Sequence, residues 1–316
     1  GDVYKRQRFS HLKKRTIIIA AVVLVLVLAL AYWWFHPAIN IQSIDLWGFL
    51  IVILALVTFV LFVFRQIYQT GMGKREKSPK KVKLFSGLMA IPIAIAVIGA
   101  VGWLASQSFF PGNAEKYSTV LVTEDADFAT DIPEVNYSEI PFIDKDSAIL
   151  LGNRTMGTMA DYVSQFEISD LYSQINYKGQ PVRVSPLNYA DFFKWWANKD
   201  GGIPAYVIVN MSTQDTEIVR LENPIRYSDS DPFFYNVDRH VQLSYPFYMF
   251  DEKSFEINDD GEPFWIYPVQ KRTIGLFGGT TIQRVVLCNA STGECQDFAI
   301  EDVPQWVDRA YPAELL

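Results

Sequence analysis

The stretch INYKGQPVRVSP (Ile175–Pro186) has a counterpart in INDDGEPFWIYP (Ile257–Pro268), 82 residues further along the chain. Both copies share the frame Ile-Asn-x-x-Gly-x-Pro-x-x-x-x-Pro. Glycine in this frame permits the positive φ of a tight turn, and the first proline begins a strand where no ladder N–H is lost. The frame therefore predicts a turn followed by a strand in each copy.

A second pair of matching segments extends the repeat. IPAYVIVNMST (Ile203–Thr213) corresponds to IQRVVLCNAST (Ile282–Thr292) at an offset of 79 residues. Each reads as a strand that runs into a hairpin turn, which the side chain of Asn210 or Asn289 closes. Two copies of a strand–hairpin module predict one antiparallel α+β domain. The predicted repeats cover residues 171–221 and 253–300.

The second copy resembles a PepSY-type module, a small α+β unit of bacterial envelope proteins. INDDGEPFWIYPV followed by VVLCNASTGE matches the pattern of that module at Gly261, Trp265, Thr292, Gly293 and Glu294. The first copy departs from it, because Gln214-Asp215 replaces Gly-Glu. The resemblance implies a module that binds or restrains a partner, often a protease or wall hydrolase. It brings no catalytic residues.

The charge of the chain changes sign at about residue 110. Residues 1–110 carry 13 Lys and Arg against 3 Asp and Glu, whereas residues 111–316 carry 15 against 32. The basic part contains three apolar runs without a charged residue, each close to the roughly 20 residues that a bilayer crossing needs. These predicted membrane spans are residues 16–35, 46–64 and 84–104.

The positions of Lys and Arg predict the orientation of these spans. Seven of them lie in residues 65–83 and none in residues 36–45, so the positive-inside rule places the basic loop in the cytoplasm. We therefore predict a multi-pass protein of the bacterial cell membrane, with three transmembrane helices followed by an extracytoplasmic domain. Its segments are a cytoplasmic N-terminus, a membrane anchor, an acidic linker and the outer domain, at residues 1–15, 16–110, 111–143 and 144–316.

Two basic segments need separate interpretations. Residues 1–7, GDVYKRQ, look like a translated sequencing adapter, and we exclude them from fold reasoning. The loop 65–83 is expected to lie against anionic lipid headgroups. Nucleic-acid binding is not expected, because no domain with base-contacting residues accompanies the loop. With these spans, the chain is similar to bacterial three-span membrane proteins that carry PepSY-like repeats.

Four segments of the outer domain predict helices. DKDSAILLGNRTMG has Asp144 or Asp146 as its N-cap, and the segment around DFFKWWAN has aromatic residues at helical spacing. Pro232 favours a helix start with Ser230 or Asp231 as its N-cap. The fourth predicted helix is short and covers residues 301–312.

Cys288 and Cys295 are the only cysteines, and they flank the predicted turn. Outside the cytoplasm they would form a disulfide if their Cα atoms lie opposite one another, and two reduced thiols are the alternative. A zinc site is not expected, because the pair has no companion ligand along the sequence. We predict no metal and no cofactor.

The sequence offers no catalytic residue. His240 is the only histidine after residue 110, and no nucleophile motif accompanies it, so it is expected to be a packed or surface residue. Carboxylates such as Asp229 and Asp231 keep open the alternative of a cell-envelope hydrolase. A further alternative is an accessory subunit of a membrane complex.

Aromatic residues are the predicted binding residues. Trp195, Trp196, Trp265 and Tyr267 either fill a core or line a groove for a peptide or a wall glycan. Neighbours on a helix do not share a face, so Trp195 and Trp196 cannot both point inward. The predicted function is non-catalytic binding or regulation of an envelope partner, which is a protease, a wall hydrolase or peptidoglycan. The lipid bilayer is the other predicted partner.

Overall fold

The structure is a computed structural model that describes residues 19, 22–71, 79–120, 125, 127, 130, 134, 136, 137, 140–312 and 315. The chain divides into two units, Gly1–Pro37 and Ala38–Leu316. In the first unit, residues 22–35 form helix α1. The predicted cytoplasmic residues 1–15, the adapter-like residues 1–7 among them, lie outside the described residues. All elements below belong to the second unit.

Helices α2 (Ile44–Gly71) and α3 (Pro79–Ala105) pack against each other. Part of their apolar surface makes contacts within the chain. The Trp47 ring lies edge-on to Phe277, at 6.0 Å between ring centroids. It also lies so close to Gly99 that a Cβ there would be 3.1 Å from the indole.

Within the described part of the chain, no helix has both the length and the apolar character required to span a bilayer. The predicted spans at 16–35, 46–64 and 84–104 are therefore wrong. The membrane anchor and the multi-pass localisation were inferred from these spans and are wrong with them. The extracytoplasmic placement of the outer domain was inferred from the same spans and loses that support. The spans were inferred from the length of each apolar run and its lack of charged residues, whereas contacts such as that of Trp47 with Phe277 appear only in the folded chain.

The C-terminal end of α3 is attached to the second sheet. Ser106 Oγ accepts the backbone N–H groups of Leu276 at 2.9 Å and Phe277 at 3.0 Å. The Tyr117 hydroxyl donates to Ser106 O at 2.7 Å from the short helix α4 (Asn113–Ser118). The segment predicted as an acidic linker therefore begins with a docked helix.

The first sheet has five strands. They are β1 (Phe166–Ile168), β2 (Ser173–Tyr177), β3 (Gln180–Tyr189), β4 (Ile203–Asn210) and β5 (Thr216–Ile225). The long strand β3 pairs with β2 and β1 along one edge and with β4 along the other, and β4 pairs with β5. Helix α5 (Lys145–Met156) precedes this sheet, and helix α6 (Phe192–Asn198) connects β3 to β4. Asp144 caps α5 as predicted, by accepting the N–H of Ser147.

The second sheet has four strands in sequence order. They are β6 (Ser254–Ile257), β7 (Pro263–Ile274), β8 (Gly278–Asn289) and β9 (Cys295–Ala299). Helix α7 (Val237–Ser244) precedes this sheet, and a 3-10 turn (Ile300–Asp302) follows it. Every pairing between the named strands is antiparallel, so this part of the chain is an α+β structure with two antiparallel sheets.

The repeat in the sequence corresponds to a repeat in the structure, since β2–β5 and β6–β9 have the same order. The predicted turn chemistry is confirmed in both copies. Gly179 and Gly261 have φ angles of 77° and 81°. Asn210 and Asn289 each accept two backbone N–H groups of the following turn through Oδ1.

One core joins the two sheets. Val184 and Val207 of the first sheet and Phe255 and Trp265 of the second are buried in the same cluster. Ser173 Oγ also accepts the backbone N–H of Phe255 at 3.1 Å, which ties β2 to β6. The two copies are therefore parts of one folded body.

Helix α7 does not begin where the sequence predicts. Asp231 Oδ1 accepts the N–H groups of Phe233 and Tyr235, and this side chain holds the segment after Pro232 as a loop. The helix begins at Val237, with Asn236 as its N-cap. The shift matters because it sets the position of the histidine on this helix.

Candidate functional site

Cys288 and Cys295 lie directly opposite each other on β8 and β9. The neighbouring residue Asn289 donates its N–H to Glu294 O at 2.9 Å, so that pair is hydrogen-bonded. Because the two kinds of pair alternate along an antiparallel ladder, the cysteines form a non-hydrogen-bonded pair, in which Cα atoms are about 4.5 Å apart. Both thiols are free. The spacing lies within the range of about 4.4–6.8 Å that a disulfide requires.

His240 of α7 is the third member of the site. One of its ring nitrogens and the sulfur atoms of Cys288 and Cys295 all lie within 4.8 Å of one another. Nε2 is 2.7 Å from the carbonyl oxygen of Gly293. The ring packs on Tyr227 with 4.3 Å between the ring centroids. These two contacts fix the orientation of the imidazole against the hairpin.

The turn that carries the site requires glycine at position 293. Its φ is +77°, a region that side chains with a Cβ rarely adopt. A Cβ at this position would also lie 2.2 Å from a ring carbon of Tyr227. The close approach of Tyr227 to the turn therefore depends on the missing side chain.

The site makes the two thiols unequal. A hydrogen bond from Cys288 lowers the pKa of Cys295 to about 6; burial opposes this effect and His240 adds to it. The same hydrogen bond, together with burial, raises the pKa of Cys288. The pKa of His240 is raised, mainly by a hydrogen bond with Cys295. These shifts favour the thiolate form of Cys295 and the neutral thiol form of Cys288.

The two cysteines also differ in their exposure to solvent. Cys288 is fully buried in the shared core, whereas Cys295 is half-buried. Only a thiolate is a good nucleophile, and only an exposed one can meet a partner. Cys295 is the more exposed of the two cysteines, and its pKa is the lower one, so it is the better nucleophile of the pair.

The four aromatic residues predicted to bind a ligand do not form one exposed surface. Three of them are buried, and each donates a hydrogen bond. The Trp195 indole donates to Asp231 Oδ2 at 2.6 Å, and the Trp265 indole donates to Tyr227 O at 2.8 Å. The Tyr267 hydroxyl donates to Asp238 Oδ1 at 2.6 Å. Trp196 is 63% exposed. The prediction that Trp195 and Trp196 cannot both point inward is confirmed. Trp196 alone of the four lies on the surface.

Sequence reasoning missed that His240 lies beside the cysteines. The expectation that the cysteine pair has no companion ligand rested on sequence spacing, and His240 is 48 residues before Cys288. It lies beside the cysteines because α7 packs on the hairpin, where Nε2 is 2.7 Å from Gly293 O. The signal in the sequence was that this is the only histidine after residue 110.

Comparison of the chain with protein-family models, with curated proteins and with solved structures finds no match in any of the three. The resemblance to PepSY-type modules therefore stays a prediction.

Proposed function

We propose that the protein carries out thiol–disulfide exchange, with Cys295 as the attacking thiolate and Cys288 as the resolving thiol. The observation that carries this proposal is their direct opposition in a non-hydrogen-bonded pair of β8 and β9. In this arrangement the second sulfur is already within reach of the first, so resolution needs no movement of the backbone.

The exchange takes place in two steps. The Cys295 thiolate attacks one sulfur of a partner disulfide, forms a mixed disulfide and releases the other partner sulfur as a thiolate. That thiolate takes up the proton that Cys288 loses. Cys288 then attacks the sulfur of Cys295 and releases the second partner thiolate. The partner disulfide gains two electrons, and the cysteine pair loses two as its own disulfide forms.

The difference in burial determines the order of these steps. A partner disulfide has access to the exposed part of Cys295, whereas Cys288 beside it is fully buried. His240 supports the reactive form, because it lowers the pKa of Cys295. The site thus has a nucleophile, a resolving group and a residue that holds the nucleophile ionised.

The test compares two matched serine variants of the full chain. Each is incubated with oxidised glutathione, alkylated and weighed by mass spectrometry. We expect Cys288→Ser to accumulate a mixed disulfide with glutathione on Cys295, because the resolving thiol is missing. The wild type should lose both free thiols together. Cys295→Ser should stay unmodified, since Cys288 is buried. Equal trapping in both variants, or no reaction of the wild type, would refute the proposed exchange.

The exposed face of α6 favours a second candidate function, which is binding of a peptide or glycan partner. Phe193 is 79% and Trp196 63% exposed, and Phe192 beside them is also exposed. Lys199 Nζ lies 5.2 Å from the centre of the Trp196 ring and 3.7 Å from Asp200 Oδ1, so the face combines aromatic surface with a charged pair. The function predicted from the sequence, partner binding or regulation, fits this surface.

Sedimentation with isolated peptidoglycan and with an immobilised peptide library tests this candidate. Trp196→Ala should lower the retained fraction, whereas Phe247→Ala should leave it unchanged. Phe247 is a suitable control because it is also 63% exposed and lies after α7, away from α6 in the sequence. Equal retention of the two variants would count against binding through α6.

A further inference from the structure

We propose that His240, Cys288 and Cys295 together bind one zinc ion when the two thiols are reduced. The inference rests on the proposed function only in requiring the same cysteine pair. It adds a role for His240 as a ligand, which disulfide exchange does not need. It also reverses the expectation from the sequence that the pair has no companion ligand.

The three side chains supply the donor atoms that zinc prefers. Two sulfurs and an imidazole nitrogen form a Cys2His set, and such soft donors favour zinc over magnesium or calcium. The candidate ligand atoms lie within 4.8 Å of one another. Zn–S bonds of about 2.3 Å and Zn–N bonds of about 2.0 Å place ligand atoms roughly 3.5–3.8 Å apart. The three ligand atoms must therefore approach one another by up to about 1 Å when zinc binds.

One hydrogen bond sets the tautomer of the imidazole. Metal-bound histidines usually donate the second ring N–H to a carbonyl or carboxylate, and this partner fixes the tautomer. His240 has such a partner, because Nε2 donates to Gly293 O at 2.7 Å. The neutral ring then keeps the lone pair that a metal needs on Nδ1. Tyr227 packs on the ring and limits its rotation.

Charge and coordination number favour one divalent ion. Two thiolates in a largely buried site carry two negative charges, which a single Zn²⁺ neutralises. Three protein ligands leave the fourth tetrahedral position to water or to a substrate atom. Disulfide formation removes both sulfur ligands at once. Oxidation of the pair and zinc binding are therefore mutually exclusive states of one site.

The inference is tested with zinc sulfate and the reduced full chain, in competition with a chromophoric chelator. We expect one zinc per chain. His240→Gln and Cys288→Ser should each weaken binding by more than about 100-fold, because even loss of an outer-shell partner costs roughly 10–100-fold. Tyr245→Phe is the matched control, since the Tyr245 hydroxyl donates to the backbone oxygen of Cys295 at 3.3 Å and offers no ligand. It should bind zinc like the wild type.

A measurement without substitutions covers the case in which a variant does not fold. Oxidation of the wild type with diamide should abolish zinc uptake, and a reducing agent should restore it. Absence of binding by the reduced wild type, or equal affinity in His240→Gln, overturns the inference. If oxidised glutathione forms the Cys288–Cys295 bond but zinc does not bind, the zinc site alone is refuted. Zinc binding without disulfide formation refutes the proposed exchange and leaves the zinc site standing.

Discussion

Replacing Glu256 by glutamine should change how the stability of the protein depends on pH. Glu256 lies on β6 and is fully buried. Its carboxylate accepts the Ser254 hydroxyl at 2.9 Å and the backbone N–H groups of Asp308 at 2.9 Å and Arg309 at 3.1 Å. It therefore holds the C-terminal segment on the second sheet.

Burial determines the size and the sign of the effect. Desolvation raises the pKa of Glu256 from 4.5 to about 7, although the three hydrogen bonds oppose this rise. Between these values the folded protein binds a proton that the unfolded chain has lost, so stability falls as pH rises through this window. One pKa unit corresponds to 1.36 kcal/mol, so the loss attributable to Glu256 is about 3 kcal/mol. Its favourable contribution is complete below pH 4.5 and lost above pH 7.

Urea unfolding of the full chain, followed by tryptophan fluorescence between pH 4.5 and 8, measures this loss. The free energy of unfolding of the wild type minus that of Glu256→Gln should fall by about 3 kcal/mol across the range, since glutamine does not titrate. Glu217→Gln is the control, because Glu217 is an exposed residue of β5, and its difference from the wild type should not follow this course. The reasoning would be refuted if the difference in the free energy of unfolding between the wild type and Glu256→Gln stayed constant with pH.

Three further substitutions test the packing around the site and the α6 face. Gly293→Ala should destabilise the chain by about 2 kcal/mol or more, since it combines a positive φ with a clash against Tyr227; an unchanged thermal midpoint would contradict this. Asp231→Ala removes the acceptor of the Trp195 indole and of two backbone N–H groups, and urea unfolding should show a loss of about 3 kcal/mol. Trp196→Ala should change stability by less than about 0.5 kcal/mol, because the side chain is exposed; a larger loss would mean that Trp196 is part of the core.

Features set by a few neighbouring residues could be predicted from the sequence. The turn glycines Gly179 and Gly261 have the expected positive φ, and Asn210 and Asn289 close the hairpins as expected. These features depend on side chains and backbone groups only a few residues apart. The same local rules predicted the cap of α5 by Asp144.

Features that depend on distant contacts could not be predicted. A helix was expected over residues 301–312, but Glu256 accepts the N–H groups of Asp308 and Arg309 from a position about 50 residues earlier, and no helix forms there after the 3-10 turn. Apolar content alone suggested membrane spans, and that prediction was wrong. The meeting of His240 with the cysteines depends on helix packing that no local pattern encodes.

The duplicated hairpin gives the molecule an internal reference for its own chemistry. Val209 and Thr216 occupy in the first copy the paired positions that Cys288 and Cys295 occupy in the second. Both hairpins close through the same asparagine turn, so they share a geometry but not a reactive group. A spectroscopic probe on the hairpin of β4 and β5, which has no thiols, would record the changes that temperature, solvent or denaturant imposes on such a hairpin. Subtracting that signal from the signal of the same probe on the hairpin of β8 and β9 would isolate the response of the two thiols to oxidant or metal.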